Sequence, residues 1–209
     1  MSPLFERYAQ LLLEWNRSVN LTGARTLEQV EAQIAQAGGL QALSWKGIRR
    51  VIDIGSGGGL PAIPLALALP EIEFSLLEAN QRKTAFLEHV AGSLPLANVR
   101  VLGGRAEELA HDPALRERFD RAISRAAAPP AVLLELALPF VRTGGGLYAE
   151  VASIDPDRLQ HAARLLGGGL PRLERPSATG SWLLVVEKVA PTPARFPRRT
   201  GLPNRRPLS

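Results

Sequence analysis

The sequence predicts an α/β protein built on a mostly parallel sheet of seven strands, with a helical extension before the sheet and an antiparallel hairpin at its end. Two observations lead to this prediction. From Arg49 onward, short apolar runs alternate with stretches of helical spacing, a pattern typical of β–α–β units whose sheet is covered on both faces. The last two apolar runs are separated only by a turn rich in Pro, Ser and Gly, which predicts a hairpin and therefore an antiparallel strand.

The first 45 residues predict two helices that precede the sheet. Apolar residues recur at helix spacing in the first of them: Leu4, Tyr8, Leu11, Leu12 and Trp15. This spacing gives the helix one apolar face, which predicts packing against the core. Polar and glycine residues interrupt the pattern from Asn16 to Gly23. We expect the second helix to run from about Leu27 to Ala37 and to end at Gly38-Gly39, because glycine favours helix C-caps.

The sheet begins after these helices. Seven apolar runs are the predicted strands, at 51–54, 74–77, 99–102, 119–123, 146–151, 170–174 and 182–188. The helical patterns between them cover 60–69, 81–91, 106–110, 131–140 and 155–166. We expect the glycine triplets at 144–146 and 167–169 to form turns between elements. The chain therefore divides into a helical cap at 1–45, a sheet domain at 46–190 and a tail at 191–209.

Composition excludes several classes of site. The 209-residue chain has no cysteine, which excludes a disulfide scaffold, an iron–sulfur site and a cysteine nucleophile. Its three histidines are scattered and do not have the spacing of metal ligands, so we expect no metal. No apolar run approaches the roughly 18 residues of a membrane span, and the N-terminus does not resemble a signal peptide. We expect a soluble cytoplasmic protein without membrane contacts.

The excess positive charge lies at the end of the chain. The sequence has 25 basic and 20 acidic residues, a formal net charge of +5. The segment from Pro191 to Ser209 has no acidic residue and contains five arginines: Arg195, Arg198, Arg199, Arg205 and Arg206. The rest of the chain is therefore neutral. A short Arg- and Pro-rich tail predicts an arm that binds nucleic-acid phosphates; the alternative is a terminus that only adds solubility.

A glycine-rich turn follows the first predicted strand. Gly55, Gly57 and Gly59 precede a helix that begins near Pro61, and glycines let a backbone approach a ligand closely. The next predicted strand ends in Glu78, a carboxylate placed to accept hydrogen bonds from a ribose. Parallel sheets bind ligands at the carboxyl ends of their strands, so this pair predicts an adenosine-containing cofactor. The alternative is a tight turn without a ligand.

Asp53 favours one cofactor over another. This acid lies two residues before the first glycine of the turn. A carboxylate there would repel the pyrophosphate of a dinucleotide and would attract a sulfonium and an ammonium group. We therefore expect S-adenosylmethionine. Two further strand ends agree: the segment 105–108 is placed to meet the adenine edge, and Arg125 closes the fourth strand. The alternative for Arg125 is a surface ion pair.

Six segments carry a resemblance to a known family, at 15–22, 53–65, 77–87, 104–108, 124–126 and 196–203. The last of these, Phe-Pro-Arg-Arg-Thr-Gly-Leu-Pro, is the most specific, because glycine loops are common and this tail is not. In order along nearly the whole chain, the segments resemble the bacterial 16S ribosomal RNA guanine-N7 methyltransferase G family, also called glucose-inhibited division protein B.

The resemblance implies a fold, a reaction and a set of residues. The fold is that of Rossmann-like class I S-adenosylmethionine-dependent methyltransferases. The reaction is methylation of N7 of one guanine in the 530-loop of 16S rRNA, on the RNA, the small subunit or an assembly intermediate, by an enzyme that we expect to be monomeric. The residues that would line the cofactor site are Gly55, Leu60, Ala106, Glu107 and Arg125, and Glu78 would take the ribose. Arg125 is the candidate catalytic residue, holding guanine O6, an RNA phosphate or the methionine carboxylate.

Two departures from the family pattern lie at the expected substrate rim. The family's His-x-x-Asp-Ser run is replaced at Gln33, Gln36 and Ala37, and its Lys-Gly after the fifth strand by Val151-Ala152. These departures keep open a weakened or non-catalytic RNA-binding assembly factor with the same fold. A nucleotide-dependent oxidoreductase is the other alternative.

Overall fold

The computed structural model describes residues 2–125, 127–152, 154–175 and 182–208, and of residues 37–39 only the helical backbone. Its strands are Arg50–Ile54 (β1), Glu73–Glu78 (β2), Val99–Gly103 (β3), Phe119–Arg125 (β4), Val141–Val151 (β5), Arg172–Glu174 (β6) and Trp182–Glu187 (β7). Its helices are Pro3–Asn16 (α1), Leu27–Gln41 (α2), Ala62–Ala68 (α3), Gln81–Ser93 (α4), Ala106–Leu109 (α5), Pro130–Ala137 (α6), Gln160–Leu165 (α7) and Leu202–Arg205 (α8). Short 3-10 turns follow α6 and precede α7.

The seven strands form one sheet in the order β3-β2-β1-β4-β5-β7-β6. The pairs from β3 to β5 are parallel, whereas β7 is antiparallel to both β5 and β6. This confirms the predicted parallel sheet and its terminal hairpin. The residues expected to form the hairpin turn, 176–181, lie outside the described part of the chain.

Two apolar clusters cover the two faces of the sheet. One contains Tyr8 and Leu12 of α1 together with Ile63 and Phe86. The N-terminal helices therefore share their core with the sheet. The other cluster contains residues of α6 and α7 and also Phe196, so the tail begins as part of the packed core. Within the described residues, no helix is long and apolar enough to cross a membrane.

The helix α2 does not end where the sequence indicated. It continues through Gly38-Gly39 to Gln41. Leu40 explains the difference, since its side chain is fully buried and its carbonyl accepts a hydrogen bond from the indole of Trp45 at 3.1 Å. The two glycines disfavour the helix by about 1 kcal/mol each, or about 2 kcal/mol together. Burial of a leucine is worth about 1.5–3 kcal/mol, which is enough to offset this cost.

The first glycine triplet is also not a turn between elements, because residues 144–146 lie inside β5. The register between β4 and β5 shifts there: Phe119 pairs with Val141, and Arg121 already pairs with Gly146. Gly145 is required at this irregularity because any side chain would overlap the carbonyl oxygen of Asp120. The second triplet does lie between α7 and β6, as expected.

A buried lysine fixes the point where the tail leaves the sheet. The ammonium of Lys188 is fully buried and lies 3.1 Å from the carboxylate of Glu117. It also donates to the carbonyls of Leu138 and Val141 and to the hydroxyl of Thr192. Burial lowers the pKa of Lys188, and Glu117 partly opposes this effect. The interior thus compensates a charge that would otherwise be costly there.

We expect Lys188→Met to destabilise the protein by about 2–4 kcal/mol, because it leaves two carbonyls, a hydroxyl and a carboxylate without their donor. Urea unfolding at pH 7 measures the change. Lys46→Met is the matched control, since Lys46 is exposed, and should change stability by less than about 0.5 kcal/mol. Equal effects of the two substitutions would contradict a structural role for Lys188.

Candidate cofactor site

A cavity of about 760 Å³ opens at the carboxyl ends of the parallel strands. Seven of the eight residues predicted to bind cofactor line it: Gly55, Gly57, Leu60, Glu78, Ala106, Glu107 and Arg125. Further lining residues come from the loop after α1, from α2 and from the tail. The cavity is therefore built from parts of the chain that are far apart in sequence.

The exception is Gly59, which does not line the cavity. Its φ is +84°, and a Cβ atom there would lie 2.6 Å from Cγ1 of Ile63 and 3.3 Å from the Tyr8 hydroxyl. Gly59 is thus needed for close packing of the loop against α3 and α1, and its contact with the cofactor stays a prediction that the cavity lining does not support. The Tyr8 hydroxyl also donates to the carbonyl of Gly58 at 2.6 Å, which ties the loop to α1.

The glycine loop is held in place by the neighbouring strand. The amides of Gly55 and Ser56 donate to the carbonyl of Leu77 at 2.9 and 3.0 Å. Gly55 has a φ of +71°, and a Cβ atom there would lie 2.6 Å from that of Ala127. The loop backbone therefore passes closer to the segment after β4 than any side chain would allow.

The carboxylate of Glu78 connects the loop to the next strand end. One oxygen accepts from the Gly57 amide at 2.9 Å, and the other accepts from the Asn80 amide at 2.8 Å. Each carboxylate oxygen has two lone pairs, so both can accept further hydrogen bonds. Glu78 therefore has the geometry to fix the loop and to receive the two hydroxyls of a ribose.

Asp53 lies beneath the loop and is 1% exposed. Neither of its carboxylate oxygens has a hydrogen-bond partner among the described residues. Burial raises the pKa of Asp53 to about 7, and the nearby Ser56 hydroxyl and then Arg125 oppose the increase. That hydroxyl donates to the backbone carbonyl of Asp53 at 3.1 Å and not to its carboxylate. A buried carboxylate without a partner is unstable unless a cation compensates it. An ammonium or sulfonium group held above the loop would provide that compensation.

Arg125 faces the cavity and forms no ion pair in the part of the chain that the structure describes. Its guanidinium donates to the backbone carbonyl of Gln33 at 3.4 Å. Glu150 lines the same end of the cavity, and its pKa is raised by burial and lowered in part by Arg125. Sequence reasoning missed Glu150. The available signal was an acidic residue near the end of the predicted strand 146–151, and the structure pairs it with Arg125 in register.

The rim positions that depart from the family pattern also lie here. Gln33, Gln36 and Val151 line the cavity, whereas the Ala37 side chain lies outside the described residues. The Thr22 hydroxyl donates to Oε1 of Gln33 at 2.6 Å and accepts from the Ala24 amide at 3.2 Å. Thr22 bonds to the oxygen of the Gln33 side-chain amide. The nitrogen of that amide therefore keeps its two N–H donors for other partners.

The five tail arginines do not share one environment. Arg198 forms an ion pair with Glu135 at 2.6 Å, and the Glu135 side chain is fully buried. RNA binding by Arg198 stays a prediction, but this ion pair already occupies its guanidinium. The other four, Arg195, Arg199, Arg205 and Arg206, are exposed.

Comparison with known proteins identifies the family. The family model described as rRNA small subunit methyltransferase G matches residues 1–165. A protein of that name from Deinococcus deserti is 38% identical and covers 100% of this chain and 90% of its own length. Another, from Moorella thermoacetica, is 39% identical and covers 98% of this chain and 89% of its own length. The chain belongs to the rRNA small subunit methyltransferase G family.

Solved structures agree with this family at the level of the fold. An S-adenosylmethionine-dependent methyltransferase, SibL, superposes with a TM-score of 0.61 at 15% identity, over 90% of this chain and 70% of its own. A precorrin-6y methyltransferase from Geobacter metallireducens gives 0.53 at 16% identity, over 80% and 90%. The fold is therefore that of class I methyltransferases, and the family's cofactor is S-adenosylmethionine.

The site of this chain fits that cofactor. It combines a cradle of glycines, a carboxylate with free lone pairs at Glu78, and an unpartnered buried carboxylate at Asp53. S-adenosylmethionine carries a ribose diol, an ammonium and a sulfonium, which match these groups. Among the described residues, no cluster of three or more acidic or histidine side chains is arranged to hold a metal.

We expect Asp53→Asn to stabilise the ligand-free protein more at pH 8 than at pH 5. The raised pKa of Asp53, about 7 against 3.8, means that the folded state must ionise a buried acid as the pH rises, while the unfolded state is already ionised. Wild-type stability therefore falls between about pH 4 and pH 7, by at most about 4 kcal/mol. Urea unfolding of both proteins at the two pH values measures this. A pH-independent difference would show that Asp53 has a partner.

Proposed function

We propose that this chain transfers the methyl group of S-adenosylmethionine to N7 of a guanine in the 530-loop of 16S rRNA. The observation that carries the proposal is one continuous cavity with an adenosine-type site at one end and Arg125, Gln33 and Glu150 at the other. Membership of the methyltransferase G family supports the rRNA substrate. The cavity is lined by residues of this one chain, which supports a monomeric enzyme. A ribosomal RNA substrate supports its location in the cytoplasm.

The proposed cofactor contacts follow the order of the strands. Gly55, Gly57 and Leu60 after β1 approach the methionine portion, and Glu78 after β2 accepts from the ribose hydroxyls. Ala106 and Glu107 after β3 meet the adenine. The sulfur joins the methionine to the ribose, so it would lie at the loop after β1. Because β4 is the next strand of the sheet on that side, the reacting base would enter beside Arg125. When bound, the cofactor supplies an electrophilic methyl group on a sulfonium.

Guanine N7 has a lone pair in the ring plane and no proton, so its methylation requires no general base. The residues of the chain must instead align the base and exclude other orientations; alignment can supply roughly 7–11 kcal/mol of the barrier. A donor directed at N7 would block its lone pair. We therefore assign Arg125 and the free amide N–H groups of Gln33 to guanine O6, the adjacent acceptor on that edge.

Methylation at N7 leaves a positive charge on the guanine ring. The carboxylate of Glu150 lies at this end of the cavity, and a negative charge there stabilises the developing cation. Burial favours its protonated form, while Arg125 favours the ionised form. In this proposal Arg125 orients the base and also keeps Glu150 charged.

The RNA must present the guanine outside a regular helix. The major groove of A-form RNA, which carries N7, is too narrow for side chains, so the base is unpaired or extruded. The exposed arginines of the tail are proposed to hold flanking phosphates. Two of them, Arg199 and Arg205, line a small surface recess together with Thr200 and Leu202.

We expect Glu78→Ala to weaken binding of S-adenosylhomocysteine by about 10- to 100-fold, equivalent to the 1.5–3 kcal/mol of hydrogen bonds to a charged group. Isothermal titration calorimetry measures the affinity. Glu73→Ala is the matched control, since Glu73 is the exposed residue at the opposite end of the same strand. Unchanged affinity in Glu78→Ala would remove Glu78 from the cofactor site.

The reaction is tested on small subunits isolated without the modification. Purified protein with S-adenosylmethionine should methylate one guanine of the 530-loop, detected by reduction and aniline cleavage at N7-methylguanine. Cofactor binding without transfer to any ribosomal substrate would instead support a non-catalytic assembly factor.

Arg125→Ala should lower the rate of this transfer by at least about 10-fold while the protein stays folded. Affinity for S-adenosylhomocysteine distinguishes its two roles: an unchanged value supports contact with the base, and a parallel loss supports contact with the methionine carboxylate. Turnover close to that of the wild type would show that Arg125 has neither role.

A further inference from the structure

We infer that the basic tail forms a wall of the cofactor cavity, with Asn204 contacting the adenine of the cofactor and Arg198 positioning the wall. This inference rests on the proposed function in one respect, that the cofactor occupies this cavity. The charge of the tail predicted only that it binds RNA phosphates. This inference adds a second role for the tail, in binding the cofactor.

The first step is the attachment of the tail to α6. The Arg198 guanidinium donates to both oxygens of Glu135, at 2.6 to 3.1 Å, and the Arg198 amide donates to one of them at 2.7 Å. The same guanidinium reaches forward to the carbonyl of Arg206 at 2.8 Å. One side chain therefore joins the body of the protein to both ends of the segment 198–206.

The second step is the contact between that segment and the cavity lining. The Gly201 amide donates to Oε1 of Glu107 at 3.0 Å, and the Thr200 hydroxyl donates to Glu108 at 2.9 Å. Glu107 is 6% exposed and lines the cavity. Its other oxygen, Oε2, has no partner among the described residues and remains able to accept from an amino group.

The third step places Asn204. Gly201 precedes the short helix α8, and its carbonyl accepts from the Arg205 amide at 3.2 Å, so Asn204 lies on the single turn that follows the Glu107 contact. Asn204 lines the cavity, and its amide has no partner in the described part of the chain. An asparagine amide presents a donor and an acceptor side by side, which matches the amino group and adjacent ring nitrogen of adenine.

These contacts make tail docking and cofactor binding mutually reinforcing. Glu107 uses one oxygen for Gly201 and offers the other to the adenine amino group, so each contact orients the carboxylate for the other. A cofactor that favours the docked tail must be bound more tightly by the docked tail, by the same factor.

The adenine contact is tested by comparing S-adenosylhomocysteine with S-inosylhomocysteine, in which a carbonyl replaces the amino group. We expect Asn204→Ala to reduce the preference for the adenine form by about fivefold, the value of one neutral hydrogen bond. Pro207→Ala, at an exposed position of the same tail, should leave the preference unchanged. A merely structural role of Asn204 would lower both affinities equally, and that result would overturn the assignment.

The positioning role of Arg198 is tested with Arg198→Gln and Arg199→Gln, neighbouring substitutions that remove the same charge. Arg198→Gln should weaken S-adenosylhomocysteine binding about 10-fold, because it releases the wall, whereas Arg199→Gln should change it less than twofold. The control is read in cofactor binding alone, since Arg199 is a proposed RNA contact. Equal effects of the two would overturn the inference.

Limited trypsin digestion gives an independent measure. S-adenosylhomocysteine should slow cleavage between Arg199 and Thr200 in the wild type and should not slow it at the corresponding bond in Arg198→Gln. Identical cleavage with and without the ligand in the wild type would overturn the coupling. If the wild type binds no S-adenosylhomocysteine, the proposed function fails; if it binds and the tail variants are unaffected, only this inference fails.

Discussion

Parallel pairing of the five strands β3-β2-β1-β4-β5 is the constraint on which the site depends. In such a sheet every strand delivers its following residues to the same edge. The glycine loop, Glu78, the Ala106–Glu107 turn and Arg125 are separated by up to 70 positions in sequence, yet they line one cavity. Residues of α2 and of the tail, which come from opposite ends of the chain, line the same cavity.

Three buried charged groups, Lys188, Glu135 and Asp53, differ in how the protein compensates them. Lys188 donates to several acceptors, and Glu135 accepts four hydrogen bonds from Arg198. Each also forms an ion pair, so their charges are compensated within the fold. Asp53 has no such partner among the described residues. Compensated charges stabilise the fold. Asp53 does not line the cavity itself, but its uncompensated carboxylate, buried just before the glycine loop, would attract a cation held on that loop. Lys188 and Glu135 therefore stabilise the fold, whereas Asp53 is suited to interact with a bound cation.

Local patterns predicted most of the sheet and much of the site, because alternating apolar runs and glycine turns are local signals. The seven strands and the roles of Gly55 and Gly57 as loop residues at the cavity could be predicted in this way. The extension of α2 past Gly38-Gly39 could not, because it depends on burial of Leu40 by residues distant in sequence. The pairing of Arg198 with Glu135 could not be predicted for the same reason. The sequence shows that the tail arginines are clustered, but it does not show that Glu135, which is distant in sequence, contacts one of them.

The attachment of the tail has a genetic consequence. A stop codon after the codon for Lys188 would remove Thr192, the partner of the buried ammonium, and Arg198, the partner of Glu135. It would also uncover the apolar residues against which Phe196 packs. Such an allele would encode a protein whose apolar core is partly exposed to solvent. Cellular proteases would degrade this protein. Its phenotype would be loss of the whole protein, and not the milder loss of a dispensable appendage.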